Sequence, residues 1–178
     1  MDDEDIIISG RSIGSGPACH LASKFNPSSL LLISPIRSVK DVARLRYGRI
    51  VDLLIEERFD NFTASKNVAC PTLIFHGMMD SMVPYQQSIE MLLEGFVNAR
   101  AHMFLRDQME HNRFNYDSDI IKPLKYFLKT HNIRIRPSKF KEPIEAKLLK
   151  NVGYVDKKAV RNAKLFGFKY KSLYLNNF

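Results

Sequence analysis

Short apolar runs alternate with amphipathic stretches along the first 130 residues of the chain. Four runs are almost free of polar side chains: residues 6–8, 30–33, 72–75 and 101–105. Such continuous runs are typical of strands that are buried on both faces of a sheet. Four other stretches have the spacing of helices: residues 17–24, 41–59, 85–95 and 119–131. This alternation predicts an α/β fold with a mainly parallel sheet flanked by helices.

The end of the chain has a different charge balance. The net charge is +8, yet residues 1–130 carry 15 Lys and Arg against 16 Asp and Glu, whereas residues 131–178 carry 12 against 3. We therefore divide the chain into a partial α/β domain over residues 1–131 and a basic, weakly ordered extension over residues 132–178. Within the extension, the sequence predicts a short edge strand over 133–137 and a weak helix over 145–150.

Composition narrows the class of protein. The hydrophobic content of 45% is ordinary for a globular domain. No apolar run reaches the roughly eighteen residues that a membrane span needs, and the acidic residues 2–5 do not fit a secretory signal peptide. Cys19 and Cys70 are too few for a disulfide framework or a zinc site. We expect a cytoplasmic protein.

Residues 10–14 fit the pattern G-x-S-x-G, directly after the first predicted strand and before the first predicted helix. In this setting the pattern predicts a nucleophile elbow, a sharp turn that lifts Ser12 off the end of the sheet. We expect a Cβ at either Gly10 or Gly14 to clash with the neighbouring strand or helix. The backbone N–H of Ile13 is the candidate oxyanion donor. The alternative is a glycine-rich turn with a purely structural role. A P-loop and a dinucleotide site are excluded, because the lysine of the first and the third glycine of the second are missing.

A serine nucleophile needs a base, and the base needs an acid to orient it. In this class of fold the acid and then the base follow the serine along the chain. Asp80 lies just beyond the third predicted strand and His111 lies in the loop after the fourth, so we assign them as acid and base. A turn aspartate and an ordinary surface or core histidine are the alternatives. The remaining histidines lie in helices or at strand ends: His20, His76, His102 and His131.

Together these stretches resemble the α/β-hydrolase superfamily, and in particular its branch of α/β-hydrolase-domain 17 proteins, whose members are protein depalmitoylases. The resemblance covers about residues 4–130 and rests on four stretches: 6–17, 31–35, 70–84 and 110–112. It implies Ser12 as nucleophile, Asp80 as acid and His111 as base. The chain departs from the family at Glu110 and Arg113, where a typical member has a glycine and an acidic residue.

The resemblance also bears on how much of the fold the chain contains. In the family the elbow lies near the middle of the domain, after several strands, whereas here it begins at residue 10. The chain is therefore expected to be N-terminally truncated, corresponding to the C-terminal half of the fold. The family's N-terminal cysteine cluster and the loop that supplies a second oxyanion N–H have no counterpart in it. We expect the first strand to have a bare edge.

The expected function is hydrolysis of ester or thioester bonds through an acyl-serine intermediate, and the resemblance implies a protein depalmitoylase. The chemistry needs no cofactor and no metal. The expected substrate is an acylated protein or a small acyl ester. A serine peptidase or carboxylesterase of the same fold stays open, as does a catalytically impaired hydrolase that acts as an interaction module.

Two segments outside the triad have functional interpretations. The basic extension is either solvated, bound to an anionic membrane surface, or bound to nucleic acid. Under the depalmitoylase hypothesis the membrane is favoured over nucleic acid, which places the protein in the cytoplasm or at the cytoplasmic face of membranes. The apolar positions within 41–59 either pack on the core or line an acyl channel.

Overall fold

The computed structural model describes residues 6–133 and 154–155, and its main element is a five-stranded sheet. Four strands are parallel and pair in chain order: β1 (Ile7–Arg11), β2 (Ser29–Ile33), β3 (Thr72–Gly77) and β4 (Ala101–Arg106). The two-residue strand β5 (Tyr154–Val155) pairs antiparallel with β4. In the described part of the chain, β1 therefore forms one edge of the sheet.

Helices follow the strands. The α-helices are α1 (Ser15–Lys24), α2 (Val39–Tyr47), α3 (Val51–Leu54), α4 (Asn61–Ser65), α5 (Tyr85–Glu90) and α6 (Lys122–Thr130). Two 3₁₀ turns, Ser12–Gly14 and Gly48–Ile50, lead into α1 and α3. Two π-helical segments are continuous with α5 and α6: Met91–Gly95 and Tyr116–Ile121.

The sheet is covered on both faces, because neighbouring residues of one strand enter different apolar clusters. Leu30 and Leu32 of β2 belong to the same cluster as Ala18 of α1. Leu31, between them, belongs to the cluster that includes Phe127 of α6. Burial on both faces favours apolar side chains at successive strand positions, and this explains the continuous apolar runs of the sequence.

The segment over 41–59 departs from the single predicted helix. Ser38 caps α2 by accepting a hydrogen bond from the Asp41 N–H at 3.0 Å. The helix ends at Tyr47, and the next residue, Gly48, has a φ of 68°, a left-handed conformation that glycine adopts readily. A 3₁₀ turn and the short α3 follow, and the chain is extended again at Ile55.

Most apolar side chains of this segment face solvent, so the prediction that they pack on the core is wrong, whereas an acyl channel stays a prediction. Leu45, Ile50, Leu53 and Leu54 are 57–87% exposed, which core packing would not allow. Val51 is the residue of the segment that is buried. Near-helical spacing does not tell which face of a short helix will be covered.

Parts of the sequence prediction lie outside the described residues. The predicted helix over 145–150 and most of the basic extension lie outside the described residues. The predicted strand over 133–137 also lies outside them, except for Ile133. In the described ranges, none of the helices has both the length and the apolar character needed to span a bilayer.

Leu32→Ala should lower the free energy of unfolding by about 2–5 kcal/mol, because it leaves a cavity beside a fully buried position of β2. Leu53→Ala is the matched control: its side chain is 87% exposed, and the substitution should change stability by no more than about 0.5 kcal/mol. Urea denaturation followed by circular dichroism measures both variants. Equal losses in the two would contradict the described packing of β2.

Candidate active site

The turn between β1 and α1 holds Ser12 in a strained conformation at the carboxyl end of the sheet. Its φ of 51° lies in the left-handed region, which costs a non-glycine residue about 1–3 kcal/mol. The close approach of β1 and α1 requires glycine at position 10. A Cβ there would lie 2.5 Å from the Gly14 carbonyl oxygen and 2.6 Å from the Ala18 Cβ.

Gly14 does not share this constraint, and the prediction that a Cβ would clash there is wrong. A Cβ built on Gly14 meets no atom within 4 Å. The backbone at Gly14 is helical, with φ −64° and ψ −14°. Only the first glycine of the pattern is required by space, because it faces the helix whereas the second is open on the side where a Cβ would project.

A buried hydrogen-bond network fixes the start of α1 below Ser12. The Ser15 hydroxyl donates to the Ser12 carbonyl at 2.6 Å and accepts from the Ile36 N–H at 3.2 Å. Asn61, at the start of α4, donates to the Ser15 oxygen at 2.9 Å and to the Ile36 carbonyl at 2.8 Å. Ser15 and Asn61 are buried, so losing one partner would leave a buried polar group unsatisfied.

Three loops at the same edge of the sheet bring the predicted residues together. The Nε2 atom of His111 lies 3.1 Å from the Ser12 Oγ, and its Nδ1 atom lies 2.7 Å from the Asp80 Oδ2. A carboxylate can only accept, so Nδ1 carries the proton and the Nε2 lone pair faces the serine hydroxyl. Ser12 is half-buried, whereas Asp80 and His111 are buried. This arrangement is able to transfer a proton from serine to histidine.

Asp80 accepts hydrogen bonds at both carboxylate oxygens. Its Oδ1 atom accepts from the backbone N–H groups of Met82 at 3.0 Å and Val83 at 2.8 Å. Burial alone would raise the pKa of Asp80, but hydrogen bonds from His76, Val83 and His111 outweigh burial and hold that pKa well below its usual range. The carboxylate therefore stays ionised beside His111.

Arg11 links the turn that carries Ser12 to the loop that carries His111. Its guanidinium donates to the His111 carbonyl and to the Asn112 side-chain oxygen, both at 2.6 Å. It also lies over the Phe114 ring, 5.9 Å from the centroid. Because β1 and β4 are separated by two strands, this side chain provides a direct link between the loops that carry Ser12 and His111.

Two residues that help to hold this site together have no site role in the sequence prediction: Asn61 and His76. His76 ends a strand, and the carboxyl end of β3 is the edge at which Asp80 lies. The position of Ile13 directly after Ser12, at the start of the turn into α1, suits the predicted oxyanion role because N–H groups in the first turn of a helix lack helical acceptors. That role stays a prediction.

Cys19 and Cys70 are two buried thiols outside the group formed by Ser12, Asp80 and His111. Burial, followed by the neighbouring Cys70, raises the pKa of Cys19 to about 12, and burial raises the pKa of Cys70 to about 11. Both thiols therefore stay protonated and poorly nucleophilic near neutral pH. Among the described residues, no group of three or more His, Cys, Asp or Glu is arranged to hold a metal ion.

No family model matches the chain, but individual relatives do. It is 31% identical over 86 residues to the alpha/beta hydrolase domain-containing protein aho-3 of Caenorhabditis elegans. It is 28% identical over 86 residues to human alpha/beta hydrolase domain-containing protein 17B. Each alignment covers 48% of this chain, and 25% and 29% of the respective relative. The chain thus matches little more than a quarter of the length of these curated relatives.

Solved structures extend the likeness beyond the aligned sequence. The acylaminoacyl peptidase of Pyrococcus horikoshii has a TM-score of 0.57 at 20% identity, covering 84% of this chain and 27% of that one. The esterase domain of a Rhodothermus marinus protein has a TM-score of 0.53 at 16% identity, covering 71% and 59%. The chain has the α/β-hydrolase fold, as predicted. Its sequence is similar, over about half of the chain, to the alpha/beta hydrolase domain-containing 17 proteins.

Gly10→Ala and Gly14→Ala should have opposite effects on stability. Gly10→Ala forces a Cβ against the Gly14 carbonyl and Ala18, so we expect a loss of about 1–3 kcal/mol in the free energy of unfolding. Gly14→Ala places a methyl group in open space on helical backbone and should be neutral or stabilising by up to about 1 kcal/mol. Urea titrations of the two variants make the comparison. Similar losses would show that the elbow is not packed as described.

Asp80→Asn should change how stability depends on pH. The pKa of Asp80 is lowered in the folded protein, so its ionised form contributes stability above the unfolded value of about 3.9, and this contribution is lost as pH falls below about 4. The variant should therefore be less stable than wild type at pH 6, and the difference should shrink below pH 4. Urea titrations from pH 6 to pH 2.5 measure it, with the exposed Asp107→Asn as the control. A constant difference would contradict the assignment.

Proposed function

We propose that the chain acts as a serine hydrolase that cleaves ester or thioester bonds through an acyl-serine intermediate. The observation that carries this proposal is the continuous path from Asp80 through His111 to Ser12, with contacts of 2.7 and 3.1 Å. A glycine-rich turn that served structure alone would not need a strained serine aligned with a buried and oriented histidine. The similarity to α/β-hydrolase-domain proteins supports the same conclusion.

The reaction follows from the positions of these atoms. The Ser12 Oγ attacks the acyl carbon while His111 Nε2 removes its proton, and the carbon–oxygen bond that forms makes a tetrahedral intermediate. The intermediate collapses as the bond to the leaving thiol or alcohol breaks, and His111 returns the proton to that group. Water then attacks the acyl-serine ester while His111 accepts its proton. The bond between the acyl carbon and Ser12 Oγ breaks, His111 returns the proton to Oγ, and the acyl group leaves as a carboxylic acid. Asp80 stabilises the imidazolium in both steps.

The Ile13 N–H is our candidate for stabilising the oxyanion. Removing one oxyanion donor from a serine hydrolase costs on the order of 100- to 1000-fold in rate. A chain that presents a single such donor would therefore be slow rather than inactive.

An acyl chain is the substrate group that best suits the surroundings of Ser12. Three apolar side chains adjoin the catalytic residues along the chain and are 42–63% exposed: Ile13, Met79 and Met82. Methionine adapts to flexible apolar ligands. We propose a long-chain acyl thioester on a protein cysteine, which is the substrate that resemblance to the domain 17 proteins implies. An acylated protein or a small acyl ester is then the partner of this site.

A peptidase or carboxylesterase activity is the second candidate. Proteins called an acylaminoacyl peptidase and an esterase resemble the chain over 84% and 71% of its length. The same triad serves all three activities, and the pocket decides among them. Paired thioester, ester and peptide substrates with identical acyl groups would separate these candidates by rate.

We further propose that the basic residues beyond position 131 bring the protein to anionic membranes at the cytoplasmic face. Residues 131–178 carry 12 Lys and Arg against 3 Asp and Glu. Clustered basic residues gain about 1 kcal/mol each near an anionic bilayer. This location would suit a substrate whose acyl chain is itself embedded in the membrane.

A fluorophosphonate probe tests the proposal, because it reacts with an activated serine and needs no knowledge of the substrate. Wild type should be labelled, and Ser12→Ala and His111→Ala should lose labelling by at least about 100-fold. Ser9→Ala and His20→Ala are matched controls, since both side chains are exposed and lie outside the triad; they should label like wild type. A folded wild type that fails to react would overturn the proposed activity for this chain.

A further inference from the structure

A second histidine, His76, lies close to Asp80. His76 belongs to β3 and is fully buried. Its Nε2 atom lies 2.9 Å from the Val83 carbonyl oxygen and 3.4 Å from Asp80 Oδ2. Its Nδ1 atom lies 2.6 Å from the Ser88 hydroxyl of α5. The reaction described above makes no use of this ring.

These contacts define the protonation of the His76 ring. A carbonyl oxygen can only accept, so Nε2 must carry a proton directed at Val83. Nδ1 is then free to accept from the Ser88 hydroxyl, which satisfies both nitrogens of a neutral ring. The same Nε2 atom lies 3.4 Å from Asp80 Oδ2, so the positive end of its N–H dipole is close to the carboxylate as well as to the turn that carries Asp80.

The contact between His76 and Asp80 Oδ2 is important because the same oxygen also binds His111. Oδ1 is held by two backbone N–H groups, from Met82 and Val83. Oδ2 is the oxygen that binds His111, and His76 approaches this same atom. Within the described ranges, Asp80 is the charged group that approaches the His76 ring within ion-pair distance, while α5 and the turn after β3 present the neutral Ser88 and Val83 to it.

The surroundings leave this ring little room to move. Gly77 follows it, and a Cβ at Gly77 would overlap the Met109 carbonyl. That same carbonyl accepts a hydrogen bond from the Met79 N–H at 3.2 Å. The end of β3 is therefore packed directly on the segment that leads to His111, and His76 is anchored between this contact and α5.

We propose that His76 is a positioning residue for the catalytic histidine, acting through Asp80, an inference that rests on the proposed function. As the Nε2–H tautomer it restrains Oδ2 in line with His111 Nδ1 and withdraws negative charge from that oxygen. Both effects limit how strongly Asp80 favours the imidazolium form of His111. By the restraint on Oδ2, the His111 Nε2 lone pair is kept aligned with the Ser12 hydroxyl.

The matched pair His76→Asn and His76→Gln separates the donor from the ring. The Gln Nε2 stands the same number of bonds from Cα as the His Nε2 and can donate to Val83 and Asp80, whereas the Asn amide nitrogen is one bond short. We expect His76→Asn to reduce the maximal rate of fluorophosphonate labelling by about 10-fold without changing the probe's binding constant. We expect His76→Gln to restore most of that rate.

The pH profile distinguishes positioning from a merely structural role. Without the His76 donor, Asp80 Oδ2 binds the imidazolium more strongly, so the acidic limb of the labelling rate should move up by roughly half a pH unit in His76→Asn. It should stay in place in His76→Gln. A folded His76→Asn variant with the wild-type rate and an unmoved acidic limb would overturn the proposal.

Nitrogen NMR of the histidine rings supplies a readout that needs neither activity nor a His76 variant. Wild-type His76 should show a protonated Nε2 and an unprotonated Nδ1 at neutral pH, and Asp80→Asn should shift its Nε2 resonance. The opposite tautomer would overturn the proposal even if His76→Asn does not fold, and so would an Nε2 resonance indifferent to Asp80→Asn. Failure of the wild type to label would instead overturn the proposed function, leaving this measurement to decide on the His76 contact.

Discussion

The tight contact between β1 and α1 at Gly10 is the constraint on which the site depends. It leaves no space for a side chain at Gly10 and forces the chain to reverse within three residues, which places Ser12 at a φ of 51°. Strain of about 1–3 kcal/mol persists only where the surroundings over-determine it. Here the Ser15 hydroxyl binds the Ser12 carbonyl, and Asn61 binds the Ser15 hydroxyl in turn. Ser12 is thus fixed both by packing at Gly10 and by buried hydrogen bonds to the start of α1.

Asp80 is also held in place, but by electrostatic contacts to its carboxylate rather than by close packing. A carboxylate buried in an apolar interior is stable only if its oxygens are satisfied. Two backbone N–H groups and two histidine rings meet this need. The protein interior strengthens each of these contacts relative to water, and the low pKa of Asp80 reports the sum. This arrangement fixes the orientation of His111, because a carboxylate whose two oxygens are both held cannot rotate with the histidine ring.

The parts that sequence could predict are those set by local pattern or by chain order. Strand positions were predictable because both faces of the sheet are buried, and Asp80 and His111 were predictable from their order after Ser12. The breakdown of the helix over 41–59 depends on Gly48 adopting a left-handed conformation and on solvent covering the apolar side, which periodicity does not encode. The contact of Asn61 with Ser15 joins residues 46 positions apart, so only the folded chain reveals it.

The contacts that hold the site together differ from those that stabilise the fold. Asp80 and His111 follow β3 and β4, which lie inside the sheet, whereas Ser12 follows β1, which in the described part of the chain is paired on one side only. Two sets of contacts compensate for this: Asn61 with Ser15 behind the elbow, and Arg11 with the His111 carbonyl in front of it. Neither set contributes to the apolar clusters on the two faces of the sheet. The 3.1 Å contact between Ser12 and His111 therefore depends on a few polar side chains, and it is open to loss while the sheet stays intact.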